Sequence, residues 1–201
     1  MNVRALPAFP QGRRAVPTAP AIPRARTADE IEKFKDTHPL GTRPRLAFDI
    51  LCFTAGRRED AIRLGHQHVH DGRVRFRQAK NEKRNPVDVD IPLHPDLAAG
   101  IAAAASRENL TLLTTAFGKP YTPAGFGNAF GDWVAQAGLS KLSPHGLRAT
   151  TATPLADAGA SPHEIASVTG HRSLQMVQHD TAAAERKRLA DKAIKRLKKR
   201  T

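Results

Sequence analysis

Four short stretches set out, in chain order, residue types suited to work on a phosphate: Thr54-Ala55-Gly56-Arg57-Arg58-Glu59-Asp60, Lys80, His145-Gly146-Leu147-Arg148 and Gly170-His171. Arginine presents a planar, permanently charged fork of donors that fits the non-bridging oxygens of a phosphate, where a transferring phosphoryl group concentrates negative charge. Taken singly, each stretch has a bland reading: a surface arginine, a turn lysine, a histidine after a helix-ending glycine. The ordered set is what points to chemistry. His66, His68 and His70 share the parity of one strand face. Zinc ligation is a possible use of such spacing, but exposed polar positions beside a hairpin account for it better. No cofactor motif and no metal-ligand cluster is evident.

The elements that must carry these residues can be read from period and punctuation. Residues 1–26 hold five prolines, five arginines and no acid, without apolar periodicity, and read as a disordered basic arm that either touches DNA or serves as a linker. Order begins at the capping box Thr27-Ala28-Asp29-Glu30, and a second helix follows Thr42, with Ala47, Ile50, Leu51 and Thr54 at helical spacing. A short helix is expected from about Arg57 to Leu64. The period then changes to two: Asp71-Gly72 is a hairpin turn, Val74 and Phe76 alternate with Arg73, Arg75 and Arg77, and Val87, Val89 and Ile91 alternate with Asp88 and Asp90. This predicts a small antiparallel sheet of three strands with Lys80 in the turn between the second and third. Helices return from Pro95 to Ala105, after Thr122-Pro123, near His145, and after the capping box Ser161-Pro162-His163-Glu164. The segment Arg186 to Arg200 has nine basic residues and one acid, with Leu189, Ala193 and Leu197 on one stripe. It suits a solvated amphipathic helix, a DNA-binding tail or a docking helix for a neighbouring protomer.

Composition narrows the partner. The 201 residues are enough for one well-buried domain with appendages, and 40% hydrophobic content suffices for its core. A formal net charge of +13 predicts a polyanionic partner, with nucleic acid favoured over a merely solubilising charge or an anionic membrane. No apolar run is long enough to span a bilayer, and no signal peptide opens the chain. Cys52 is the single cysteine, which excludes an internal disulfide and fits a reducing, cytoplasmic and nucleoid-associated setting.

The ordered motifs and the texture of HPLGTRPRLAFDILCFTAGRRED, GKPYTPAGFGNAF and SPHGLRATTATPLADAGASPHEIASVTGHRSL closely resemble the catalytic domain of tyrosine recombinases, the phage integrase family, from about Thr27 to Leu197. The resemblance implies a mainly α fold with a small three-stranded antiparallel sheet (α+β), double-stranded DNA as partner and no cofactor. It implies Arg57 and Arg148 as a clamp on the scissile phosphate, Lys80 as general acid for the 5′-oxygen, His145 as acid/base and His171 as a phosphate-side donor. Asp60 would match the acid that orients the first arginine. The expected organisation is an arm at 1–26, the catalytic domain at 27–185 and a basic C-terminal helix or tail at 186–201.

Two departures follow from the same resemblance. The family's helical core-binding domain would precede the catalytic unit, where only the 26-residue arm stands. The family's nucleophilic tyrosine lies nine residues after the position of His171, and that position is Asp180. Tyr121, the single tyrosine, sits in GKPYTPAG and matches no nucleophile motif. Pro154, inside the helix that carries His145, is expected to kink it. The expectation is site-specific DNA recombination and integration by family, with strand cleavage lost at Asp180. The alternatives are a non-catalytic DNA-binding accessory or inhibitory protein, and a degenerate integrase remnant.

Overall fold

The computed structural model describes residues 27–198, apart from 81, 105, 107 and 141 and the side chains of 149, 183 and 198. The expected arm lies outside the described residues. Helix α1 (Ala28–Thr37) starts at the Thr27 capping box, and α2 (Arg43–Thr54) is capped by Thr42 with proline in its first turn. A one-turn helix α3 (Arg58–Ala61) leads through a 3-10 turn, His66–His68, into the sheet. Its strands β1 (Val69–His70), β2 (Arg73–Arg77) and β3 (Asp88–Pro92) pair antiparallel in that order. Five helices follow: α4 (Pro95–Ala104), α5 (Pro123–Gln136), α6 (Pro144–Asp157), α7 (Pro162–Thr169) and α8 (Leu174–Lys198). This is the mainly α architecture with one small sheet that the periodicity predicts.

The sheet's two faces follow from its alternation. Val74, Phe76, Val89 and Ile91 point into the core, while Arg75 faces Asp90 and Arg77 faces Asp88 on the solvent side, each joined by an ion pair. Asp71 and Gly72 both take positive φ, the backbone that a tight two-residue hairpin turn requires.

Two clusters of buried side chains result. The larger joins α1, α2, the sheet, α4 and α5 around Phe34, which stacks on Phe48 at 4.8 Å and Phe130 at 6.1 Å, and it reaches Leu147 on α6. The smaller, Ala152, Ala156, Ile165, Val177 and Ala184, is built from α6, α7 and α8. Helix α6 belongs to both, and Arg148 lies on it where one core gives way to the other. Pro154 does not break this helix. It sits in the last turn, about 9 Å of helix rise beyond Arg148.

Candidate active site

The site begins where α2 ends. The Thr54 hydroxyl donates to the Ile50 carbonyl (2.7 Å) and accepts from the Gly56 N–H (3.1 Å), while Ala55 turns left-handed at φ 47°. A Cβ at Gly56 would come within 2.9 Å of that hydroxyl oxygen, so glycine is required there. The chain is thereby turned to present Arg57 as the N-cap of α3. Buried Asp60 then ties two segments together: Oδ2 accepts from the Arg57 N–H (2.8 Å) and Oδ1 from the Ala79 N–H (2.7 Å). Asp60 thus holds Arg57 through its backbone and, with the same carboxylate, the residue next to Lys80.

The guanidinium of Arg57 is held by a different group. Its Nη1 donates to Oε1 of Gln78 at 2.6 Å. Gln78 is 1% exposed, and its Nε2 donates to the Thr169 carbonyl at 3.2 Å.

Arg148 enters from the second turn of α6, which Ser143 caps through the Gly146 N–H and Pro144 opens. It is 2% exposed. Nη1 donates to the Ala55 carbonyl (2.8 Å) and Nε to Nε2 of His171 (3.2 Å), while Nη2 is buried without a partner. Burial, and then the charge of Arg57, pull its pKa down to about 10 against the opposing pull of Asp180 and Asp60. It remains a cation at neutral pH. A buried cationic N–H with no acceptor is costly, and such a group is poised to take an anionic oxygen.

His171 follows Gly170, the left-handed C-cap of α7. Its Nδ1 lies 2.6 Å from the Thr169 hydroxyl, which donates its own proton to the Ile165 carbonyl; Nδ1–H is therefore the donor between them. The other nitrogen, Nε2, faces Arg148 and also lies 3.1 Å from Oδ2 of Asp180. Oδ1 of Asp180 lies 3.3 Å from Nδ1 of His179. Burial pushes the Asp180 carboxyl up, but its close contacts with His171 and His179 and the charge of Arg148 outweigh it and hold the group below its ordinary value.

Arg57, Lys80 and His145 line one open cleft of about 750 Å³ together with Arg58, Glu59 and Asn128. Arg148, His171 and Asp180 form the hydrogen-bonded cluster beside it, joined to Arg57 through the Ala55 carbonyl and the Gln78–Thr169 link. Tyr121 is apart from both, packed edge-on to Phe126 (5.6 Å) and Trp133 (6.4 Å) and lining a separate cavity with Ile62 and Leu110.

The three histidines at 66, 68 and 70 do not line a strand face. His66 and His68 lie in the 3-10 turn and His70 in β1; His66 donates to the Ser106 carbonyl, His68 accepts from the Gly65 N–H and His70 donates to the Gln67 carbonyl. Among the described residues, no group of three or more His, Cys, Asp or Glu is placed to hold a metal ion. Sequence reasoning passed over Gln78 and Thr169. The signal for Gln78 is its parity: it continues the inward series Val74, Phe76 and is the polar member of it.

Known proteins share this fold. The model of the phage integrase family matches residues 24–187. A tyrosine recombinase XerC from Mycobacterium sp. (strain KMS) is 29% identical over 187 residues, covering 87% of this chain and 62% of that protein. The chain thus spans about three fifths of the length of the curated relatives it matches. Among solved structures, the XerA recombinase superposes with a TM-score of 0.69 at 19% identity, over 83% of this chain and 64% of the other. A lambda integrase (75-356) dimer bound to a COC′ core site superposes with a TM-score of 0.64 at 20% identity, over 78% of this chain and 58% of the other. These likenesses fix the fold as that of a tyrosine recombinase catalytic domain.

Proposed function

The chain belongs to the phage integrase family, and from that premise we propose that it is a recombinase-type catalytic domain that grips the phosphates of double-stranded DNA and has lost strand cleavage at Asp180. The observation that carries the reading is the unpartnered, buried Nη2 of Arg148 beside a carboxylate that sits on His171. A phosphate oxygen would satisfy the first and displace the second.

In this reading Arg57 and Arg148 bind the non-bridging oxygens, His171 donates a further hydrogen bond, and Lys80 and His145 stand in the cleft to move protons. Lys80 would protonate the 5′-oxygen as it leaves. Clamping by permanently charged donors suits phosphoryl transfer, in which charge grows on the equatorial oxygens. The missing part is the nucleophile. Asp180 has a shorter reach than a phenol, is held by two histidines, and on attack would give a labile acyl phosphate in place of a phosphotyrosine.

The C-terminal part of α8 supports a second element of the proposal. Leu189, Ile194 and Leu197 are 53%, 54% and 64% exposed along a basic helix, which suits docking against a neighbouring protomer on DNA. The rival reading is an accessory or inhibitory protein that occupies recombination sites without cutting them, and the lost nucleophile favours it as the present-day role.

The test is a nicked suicide duplex, with a core-binding domain supplied in trans. The chain itself should leave no protein-linked DNA on a denaturing gel, and Asp180→Tyr should yield a 3′-phosphotyrosyl adduct. Adding Arg148→Ala should cut that yield by about 10²- to 10³-fold. An adduct from the unaltered chain that vanishes in Tyr121→Phe would overturn the assignment of position 180. A folded, DNA-binding Asp180→Tyr protein without adduct would show that the site has decayed beyond its nucleophile.

A further inference from the structure

The side chains that ring the site form a closed circuit of hydrogen bonds, and one of its members belongs to no expected role. Starting from Arg57, Nη1 donates to Gln78 Oε1, and Gln78 Nε2 donates to the Thr169 carbonyl. The hydroxyl of the same Thr169 takes Nδ1–H of His171, whose Nε2 meets Nε of Arg148. Arg148 Nη1 returns the circuit to the carbonyl of Ala55, two residues before Arg57. Gln78 is the point at which the three loops of the site meet. Its backbone N–H donates to Val87 across the β2–β3 loop that carries Lys80, its Oε1 holds the guanidinium, and its Nε2 holds the turn before His171.

We propose that Gln78 is a positioning residue of the phosphate site, fixing the Arg57 guanidinium and coupling the Lys80 loop to the Gly170-His171 turn. An amide is the chemistry the place demands. Arg57 needs an acceptor and the Thr169 carbonyl needs a donor, and a primary amide supplies both from one uncharged planar group. A carboxylate would lack the donor, and an ammonium would lack the acceptor. Burial makes the match strict at the inner end, because the Thr169 carbonyl, enclosed with Gln78, would be left without the amide's donor, while half-buried Arg57 would lose the acceptor that fixes it. A neutral acceptor also leaves the full charge of Arg57 available to a phosphate, where a carboxylate at the same point would neutralise it. Gly170 is part of the arrangement: a Cβ there would lie 2.2 Å from Gln78 Nε2. The turn before His171 is thus shaped around the amide.

The proposal rests on Arg57 being a phosphate ligand, and its test separates the two ideas. Gln78→Met keeps the length of the side chain and removes both hydrogen bonds, whereas Gln78→Glu keeps an acceptor for Arg57. Side-chain ¹⁵N relaxation of Arg57 Nε–Hε in the free, full-length chain is the first readout. Its order parameter is expected near the rigid value of about 0.85 in the unaltered chain and in Gln78→Glu, and below about 0.6 in Gln78→Met. The second readout is affinity for a short duplex DNA at low salt: Gln78→Met should weaken it about three- to tenfold, and should weaken it no further in an Arg57→Ala background. A rigid Arg57 in folded Gln78→Met overturns the proposal, and so does a mobile Arg57 in Gln78→Glu, which keeps the test decisive if the methionine variant does not fold. Equal losses of affinity with and without Arg57 would likewise overturn it, since Gln78 would then act through general stability. If Arg57→Ala leaves DNA affinity untouched, Arg57 is no phosphate ligand, and the order parameter alone decides whether Gln78 holds it.

Discussion

Asp180 is held by two histidines and, in the proposed reading, stands against a phosphate, and the two effects can be measured apart. The carboxyl is held below its ordinary value by His171, His179 and Arg148, which outweigh its burial. A group whose folded pKa is depressed lends stability that is fully present above its unfolded value, about 3.9, and is lost as pH falls through the folded value. Asp180→Asn should therefore melt earlier than the unaltered chain in urea at pH 7, and the gap should close as pH drops below about 4. A gap of the same size at pH 7 and pH 3 would show that the carboxylate's charge is not what stabilises the fold. DNA affinity should move the opposite way. Removing an anion from the place where the proposed reading seats phosphate should relieve about 1 kcal/mol of repulsion, roughly fivefold in affinity at low salt. A drop in affinity on Asp180→Asn would count against the phosphate seat between Arg148 and His171.

Between residues and fold stand the turns, and the Gly170 turn carries the most. Its φ of 65° is left-handed, which costs an ordinary residue about 1–2 kcal/mol, and any side chain there would collide with Gln78 and meet Val89 at 3.1 Å. Gly170→Ala should lower stability by about 2 kcal/mol or more in urea melts and reduce DNA affinity as well, because the displaced Gln78 releases Arg57. A variant that loses stability but binds DNA unchanged would separate the turn from the site. Such elements were legible where local chemistry fixes them: the caps at Thr27, Thr42, Thr122 and Ser161 and the Asp71-Gly72 hairpin stand where the sequence places them. Less legible was α8, which runs unbroken from Leu174 to Lys198 although only its second half reads as an amphipathic helix. Its first half buries small or polar residues, Val177, Thr181 and Ala184, which leave little periodic signal. The short helix expected to run to Leu64 stops at Ala61. Pro154 was expected to distort its helix, but a proline in the last turn leaves the turns that carry Arg148 intact. At the site, the residue types and their order were readable; the Gln78 bridge was not, because the strand reading ended one residue before it.

The whole molecule is a basic body whose candidate site lies where two cores meet, and under the proposed function its charge predicts how it would find DNA. With a formal net charge of +13, binding should be dominated by counterion release, so log affinity should fall steeply and linearly with log salt. Affinity that is unchanged from low to high salt would refute the electrostatic reading outright. Residues 186–201 carry much of this charge, and their contribution can be isolated because the last buried residue of the α6–α8 core, Ala184, precedes them. Deleting them should leave a cooperative melt, since Val177, Ala184 and the packing of α8 on α6 remain. If the tail neutralises phosphates, its deletion should flatten the salt slope by about 0.9 for every phosphate it had covered, so a tail touching three phosphates should change the slope by nearly 3. If the tail instead docks on a neighbouring protomer through Leu189, Ile194 and Leu197, the slope should hold while the species bound to a two-site duplex falls from dimer to monomer in sedimentation. An unchanged slope with unchanged stoichiometry would leave the segment a solvated helix. In that case the steep salt dependence must arise elsewhere, from the cleft of Arg57, Arg58 and Lys80, from the basic loop between β2 and β3, or from the five arginines of residues 1–26.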